Sequence, residues 1–567
     1  MNLPDRSAGA ARAAAYAIGA ALVFFAAPVL AAPPVPSSAE AGRLQQQQYQ
    51  QPQAQSEPEA AGGGTETIAA PEGADKITFT LKEIIIEGSQ RYSSEELLAP
   101  YRDLPGKTVS VQQIYDVASS ILRRYHRDGF SFVSVYLPPQ QIAGGVVRIR
   151  VVEGHVTRVD APSLPHDRIF RQFVAEVEAM HPLDARVLEE DMLLLNDLPG
   201  LTVTSVIEPD KEDGGEGALV LHLDASRKRL TAGAALNNYG SRYTGPWQVL
   251  PSAAINGLTG NYDQTGISAL SNFPYREGHF ATLTHSEPID LRTSVAVSVS
   301  TSASAPAFTL TPEDVRSDTR EYSLLLRHQL LRSRAESWAV NGEFDVHDLR
   351  SDLLGGQLYD DRLRIARLGT TYDLADRWQG SDLLNLTLSE GISGLGSSKD
   401  DTSKLSRAQG KSNFTSAQFT ASRLQRVTDT LGLYALASGQ YAFSPLLASE
   451  EFGYGGPVIG RAYDAYEISG DDGLTGTAEL RYYGLPAWGD VQTQPFLFYD
   501  LGKVWNLDSN GVDVSGSSAG FGARFHLPHD VEASLDVAWP LTLRPSAPQW
   551  KNSPMAPRIG FGISYQY

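Results

Sequence analysis

The chain has 567 residues, too many for one ordinary domain. Its 66 acidic against 47 basic side chains give a net charge of -19, which argues against nucleic acid as a partner, because phosphate binding wants a basic face. Cysteine is absent, so disulfides, thiolate metal sites and a cysteine nucleophile are excluded.

Residues 1–32 read as a secretory signal. Arg6 and Arg12 supply a positive start, and a short apolar run ends in small residues, with cleavage expected near Ala31 or Ala32. A membrane anchor is the alternative for a run of about 18 apolar residues. The small-residue ending and the polar segment behind it favour removal. No second stretch of helix-spanning length follows, so a membrane location requires a closed barrel, the other structure that satisfies its backbone groups in lipid. Residues 33–50 include "SAEAGRLQQQQYQ", good helix formers in a piece too short to persist alone in water. Residues 51–75, rich in Pro, Gln, Ala and Gly, predict a flexible linker.

From Ile77 the pattern becomes β-α-α-β-β. "ITFTLKEIIIEG" is a strand, and a short helix follows an N-cap at Ser93 or Ser94. A longer helix places Val111, Ile114, Tyr115, Ala118, Ile121, Leu122 and Tyr125 at helical spacing and stops at Gly129. Two alternating strands complete the unit, residues 76–155. The order recurs less cleanly over residues 156–226, an internal repeat of about 75 residues.

Over residues 227–567 helical periodicity gives way to alternating segments of roughly ten residues with Gly, Asn, Asp, Ser and Pro turns. At roughly twenty residues per strand and connection this makes on the order of sixteen antiparallel strands, the pattern of an outer-membrane barrel. A soluble sandwich or propeller is the alternative, but it would show a drier inner face or blade repeats. The last strand sets Ile559, Phe561, Ile563, Tyr565 and Tyr567 on one face.

Enzyme motifs find little support. "GSSAG", Gly516 to Gly520, matches a nucleophile elbow that would make Ser518 a catalytic serine, but that motif requires a helix and "AGFGARFHL" alternates like a strand. "QGKS", Gln409 to Ser412, has Leu405 where a phosphate loop needs glycine. The 11 histidines show no metal-ligand spacing. The singular stretch is "VIGRAYDAYEISGDDGLTGTAELRY", a Gly-rich acidic loop around one arginine, Arg461. Its counterpart is "FLFYDLGKVW", where Phe496, Phe498, Asp500 and Gly502 share one strand face and Leu497, Tyr499 and Leu501 the other. The apolar set suits lipid, so Asp500 points inward. Spacing alone leaves open whether Arg461 pairs with Asp500 or is a solvated loop-tip residue.

Together these residues resemble the two-partner secretion transporters, the filamentous-haemagglutinin/haemolysin secretion-activation family of the POTRA-barrel superfamily. "YHRDGFSFVSVYLPPQQIAGGVVRIRVVEGHV" is similar to the end of that family's first POTRA domain. The family's loop motif stands here as Gly460, Arg461, Ala462, Tyr463 and Asp464, followed by Ser469, Gly470, Asp471, Gly473, Glu479, Leu480 and Arg481. Its barrel-wall motif stands as Phe498, Asp500 and Gly502. The resemblance implies POTRA repeats before an all-β barrel of about 16 strands, with residues 33–50 as a plug helix and the loop at 444–472 folded inward. It also implies an Arg461–Asp500 pair. Ala462 stands where the motif has glycine, which would strain a backbone needing positive φ. The implied function is ATP-free export of a large secreted β-helical exoprotein across the outer membrane of a Gram-negative bacterium, with the POTRA domains in the periplasm. Outer-membrane lipid and the barrel assembly machinery are further partners; no enzyme activity, cofactor, metal or nucleic acid is implied. The alternatives are an outer-membrane protein insertase of the same superfamily and a passive porin.

Overall fold

The computed structural model describes residue 39 and residues 67–164, 167–212, 215–400, 404–508, 511–547, 549 and 553–567. The predicted signal segment, the plug helix apart from Ala39, and the linker up to residue 66 lie outside them. The described chain forms two compact units that divide between Arg227 and Lys228.

The first unit contains two α/β layers. In the first layer the order is β1 (Thr78–Thr80), β2 (Glu83–Glu87), α1 (Ser94–Leu98), β3 (Thr108–Ser110), α2 (Val111–Arg127), β4 (Val133–Tyr136) and β5 (Val146–Glu153). Both helices begin at capping boxes. Ser93 and Ser110 accept the N–H groups of Glu96 and Gln113, whose side chains return to the serine N–H groups. α2 buries Ile114, Val117, Ala118, Ile121 and Tyr125 against a sheet in which β5 lies between β2, parallel to it, and β4, antiparallel. The second layer repeats the plan with β6 (His155–Asp160), α3 (Arg168–Glu178), α4 (Ala185–Asn196), β7 (Leu201–Pro209) and β8 (Ala218–Arg227), sheet order β6-β8-β7.

One boundary differs from the expectation. Residues 67–75 are anchored at Ile68 and Ala74 and are not part of a free linker. The Ile68 N–H donates to Ser119 Oγ at 3.0 Å, the Ile68 side chain packs on the first core, and Ala74 is buried. Burying these apolar groups offsets the entropy that the composition alone would have left to the chain.

Among the described residues of the second unit, sixteen antiparallel strands close into a barrel. The first strand, Leu230–Asn237, pairs with the last, Arg558–Gln566, from Gly233↔Gln566 to Asn237↔Gly562. Alternation sets the two faces. In the thirteenth strand, Gln492–Trp505, Leu497, Tyr499 and Leu501 are about half exposed, whereas Phe496, Phe498 and Asp500 are buried inward. The terminal Tyr567 exchanges backbone hydrogen bonds with Ala232, and the Lys228 ammonium sits 4.9 Å from its ring centroid. The chain enters at the start of the first strand, so every connection after an odd-numbered strand lies at the opposite end of the barrel. The longest of these, residues 443–471, joins the eleventh strand, Leu431–Ala442, to the twelfth, Asp472–Tyr482.

Candidate functional site

Residues 443–471 do not project outward. They form a narrow antiparallel ribbon, Phe452–Tyr454 paired with Ile468–Gly470, which lies against the inner wall. Glycines in the wall make room for it. Gly502 in the thirteenth strand and Gly516 in the fourteenth, Val514–Leu527, are direct register partners. A Cβ on Gly502 would sit 2.2 Å from the Tyr454 ring and one on Gly516 would sit 2.6 Å from it. Gly473 likewise gives way to the Phe452 ring, at 2.0 Å. The "GSSAG" segment therefore serves as wall surface within one continuous strand, and no helix follows it as an elbow would require. Ser518 Oγ donates to Asp500 Oδ2 at 3.0 Å.

At the ribbon tip Gly460 takes the left-handed conformation, φ 79°, where a side chain would collide with Gly455 and Tyr454. Ala462 has no positive φ and is buried, so the alanine at the motif's glycine position brings no backbone strain. Arg461 follows Gly460 and is almost wholly enclosed. Its guanidinium donates to Glu479 Oε1 at 2.6 Å and to the Val458 carbonyl at 3.0 Å, and lies 4.1 Å from the Phe498 ring centroid. Its backbone N–H donates to Asp500 Oδ2 at 3.0 Å.

The expected guanidinium pair with Asp500 is therefore corrected: Asp500 holds the backbone of Arg461 and Glu479 holds its charge. Register supplies the reason. Asp500 pairs with Thr477 and Glu479 with Phe498, so the two carboxylates are two residues apart along the wall, roughly 7 Å. An arginine whose main chain is fixed at the level of Asp500 reaches Glu479 with its fork.

Glu479 is shared. Arg481 Nε donates to Oε2 at 2.8 Å, and Arg524 Nη2 lies 2.9 and 3.0 Å from the two oxygens. With the Glu479 side chain only 1% exposed, three arginines compensate one buried carboxylate. The other motif residues hold the tip in place. The Tyr463 hydroxyl lies 2.9 Å from the Ser517 carbonyl and 3.0 Å from that of Leu543, and Asp464 accepts from Arg558 Nη1 at 2.6 Å. Gly470 packs against the Trp505 carbonyl, leaving no space for a side chain. Asp471 binds at the root of the ribbon, where it accepts the Leu446 and Leu507 N–H groups, both at 2.7 Å.

Sequence reasoning missed four arginines. Arg524 shares the inward face with Gly516, Ser518, Gly520 and Gly522, which the period of two could have revealed. Arg558 stands at the start of the last strand. Arg367 forms a two-pronged bond with Glu450 at 3.0 and 3.1 Å and a third contact with Asp345 at 2.8 Å. Arg407 binds at the ribbon root from another connection. The last two had no motif to mark them.

The family profile described as haemolysin secretion/activation protein ShlB/FhaC/HecB matches residues 215–523, and that of the ShlB-type POTRA domain matches residues 79–154. The chain belongs to the ShlB/FhaC/HecB family. It is 24% identical over 498 residues to the heme/hemopexin transporter protein HuxB of Haemophilus influenzae strain 86-028NP, covering 82% of this chain and 84% of that protein. It is also 24% identical over 501 residues to the outer membrane transporter CdiB of Dickeya dadantii, covering 84% and 87%. The solved structure of CdiB from Escherichia coli shares the fold, with a TM-score of 0.71 at 21% identity over 90% of this chain and 93% of that one. This ShlB/FhaC/HecB member is an outer-membrane transporter that exports a partner exoprotein by two-partner secretion, with its POTRA region in the periplasm.

Proposed function

We propose that the periplasmic unit, as two POTRA domains of about residues 76–155 and 156–226, captures an extended segment of a large β-helical exoprotein. The barrel then conducts it outward with the Arg461-held ribbon in its transport-competent position. β2 and β4 are edges of the first three-stranded sheet, and β6 and β7 of the second, so each offers backbone groups to an added strand. No nucleotide hydrolysis and no bond-making chemistry enter this reading; folding of the exoprotein outside favours forward movement. The lipid-facing rows of Leu, Val, Tyr and Phe suit an outer-membrane bilayer, and assembly there needs the barrel assembly machinery.

The observation that carries the reading is the Arg461 constellation: an enclosed arginine bound at 2.6 Å to Glu479, with its N–H at 3.0 Å from Asp500, inside a barrel that a protein chain must traverse. Residues 33–50 are read as a resting plug. Ala39 supports this: it is fully buried with Tyr243, Leu310, Val315 and Ala547, and its carbonyl lies 3.4 Å from Ser304 Oγ at the exit end. The test is secretion of the partner exoprotein, in cells with matched outer-membrane levels of each variant. Wild type releases it to the medium, and Arg461→Ala leaves it inside. Normal release by Arg461→Ala would overturn the role of the arginine.

A further inference from the structure

Arg407 belongs to none of the motifs, yet it is 4% exposed in a polar connection. It lies between the ninth strand, Gly380–Gly391, and the tenth, Thr415–Arg426. Its guanidinium meets the ribbon root and a further connection at once. It forms a two-pronged bond to Asp471, with Nη2 at 3.0 Å from Oδ2, and lies 3.1 Å from Glu451. It donates to the Leu446 carbonyl at 2.8 Å. It also reaches Asp508, at 2.8 Å, in the connection after the thirteenth strand.

Asp471, fully buried, completes the node by accepting N–H groups from Leu446 in the ribbon root and Leu507 beyond the thirteenth strand. One cation and one anion thus tie three exit-end connections, 392–414, 443–471 and 506–513. The first two are also stitched by the Lys411 N–H to the Pro445 carbonyl at 3.0 Å. Behind the node Leu405 and Phe414 pack on Leu446 and Leu447.

We propose that Arg407 is a positioning residue: it fastens the root of the ribbon to the two neighbouring exit connections, as a latch separate from the one at Arg461. The physical basis is charge. Three carboxylates, Glu451, Asp471 and Asp508, converge where little water reaches, and the forked guanidinium makes their approach favourable. Without it the three repel, and the connections part. A lysine keeps the charge but cannot bridge Asp471 and Asp508 with a planar fork.

The chain lacks cysteine, so introduced labels report without background. Spin labels at Ala408→Cys and Val512→Cys, exposed positions in the two flanking connections, are measured in the full-length purified transporter by pulsed dipolar spectroscopy. The latch predicts one narrow distance distribution in the parent, a broadened and longer one in Arg407→Ala, and an intermediate one in Arg407→Lys. Arg461→Ala should leave the distribution narrow. Each variant is compared at equal heat-modifiability, which reads barrel closure. Should Arg407→Ala fail to assemble, Arg407→Lys carries the test. A parent-like distribution in Arg407→Ala, or in Arg407→Lys where that variant carries the test, overturns the latch, as does equal broadening in Arg461→Ala. No exoprotein is used, so failure here leaves the transport reading intact.

Discussion

Breaking the tip contact should follow the partners seen in the barrel. Arg461→Ala removes a charged hydrogen bond to Glu479, worth about 1.5–3 kcal/mol, and a contact with Phe498 worth roughly 0.5–2 kcal/mol. Arg481 and Arg524 still hold Glu479, so the larger figure of about 3–5 kcal/mol for an orphaned buried charge does not apply. The expected cost is about 3 kcal/mol in the balance between inward and displaced ribbon, roughly a hundredfold.

A cysteine at Ala465, 2% exposed at the tip, measures that balance through its rate of reaction with an impermeant maleimide. The rate should rise about a hundredfold in Arg461→Ala. Glu479→Gln should be at least as severe, because three arginines then face one another without their carboxylate. The double variant should fall short of the sum, with a coupling of about 1–3 kcal/mol. Arg461→Ala with Asp500→Asn should couple much less, because Asp500 binds the backbone N–H that alanine retains. A larger coupling to Asp500 than to Glu479 would refute the assignment of partners.

Gly502→Ala places a methyl 2.2 Å from the Tyr454 ring and should cost about 1–3 kcal/mol by overpacking, visible as faster labelling at Ala465→Cys; adding Tyr454→Ala should restore protection. In the periplasmic unit the Tyr92 hydroxyl donates to Asp128 at 2.6 Å and holds that carboxyl below its usual range. The resulting stabilisation is present above about pH 4 and lost as pH falls through the lowered value. Asp128 is 37% exposed, so Tyr92→Phe should cost only about 0.5 kcal/mol at neutral pH, and the difference should disappear once the pH is below the lowered value, in urea unfolding of residues 67–227. Parallel curves at all pH values would contradict this. Deleting residues 33–50 should raise single-channel conductance in planar bilayers, and unchanged conductance would remove the plug.

Periodicity along the chain was enough to determine the elements. Ser110, Gln113 and the apolar spacing from Ile114 to Tyr125 specify α2, because capping and helical faces are local properties. Alternation placed Phe498 and Asp500 inward and Leu497 and Tyr499 outward, because a strand's two faces follow from a period of two. The Gly460–Asp464 and Phe498–Gly502 motifs marked the loop and the wall segment that form the site. Only tertiary structure decided what they touch. Register between the twelfth and thirteenth strands sets Glu479 two residues from the level of Asp500, and the depth of the ribbon fixes the Arg461 backbone beside Asp500. A single sequence carries neither quantity, because both depend on hydrogen bonds between distant segments. Arg407 and Asp471, 64 residues apart, carry no shared period; both follow odd-numbered strands and so lie at the same end, and they meet because the ribbon root packs against the connection that holds Arg407.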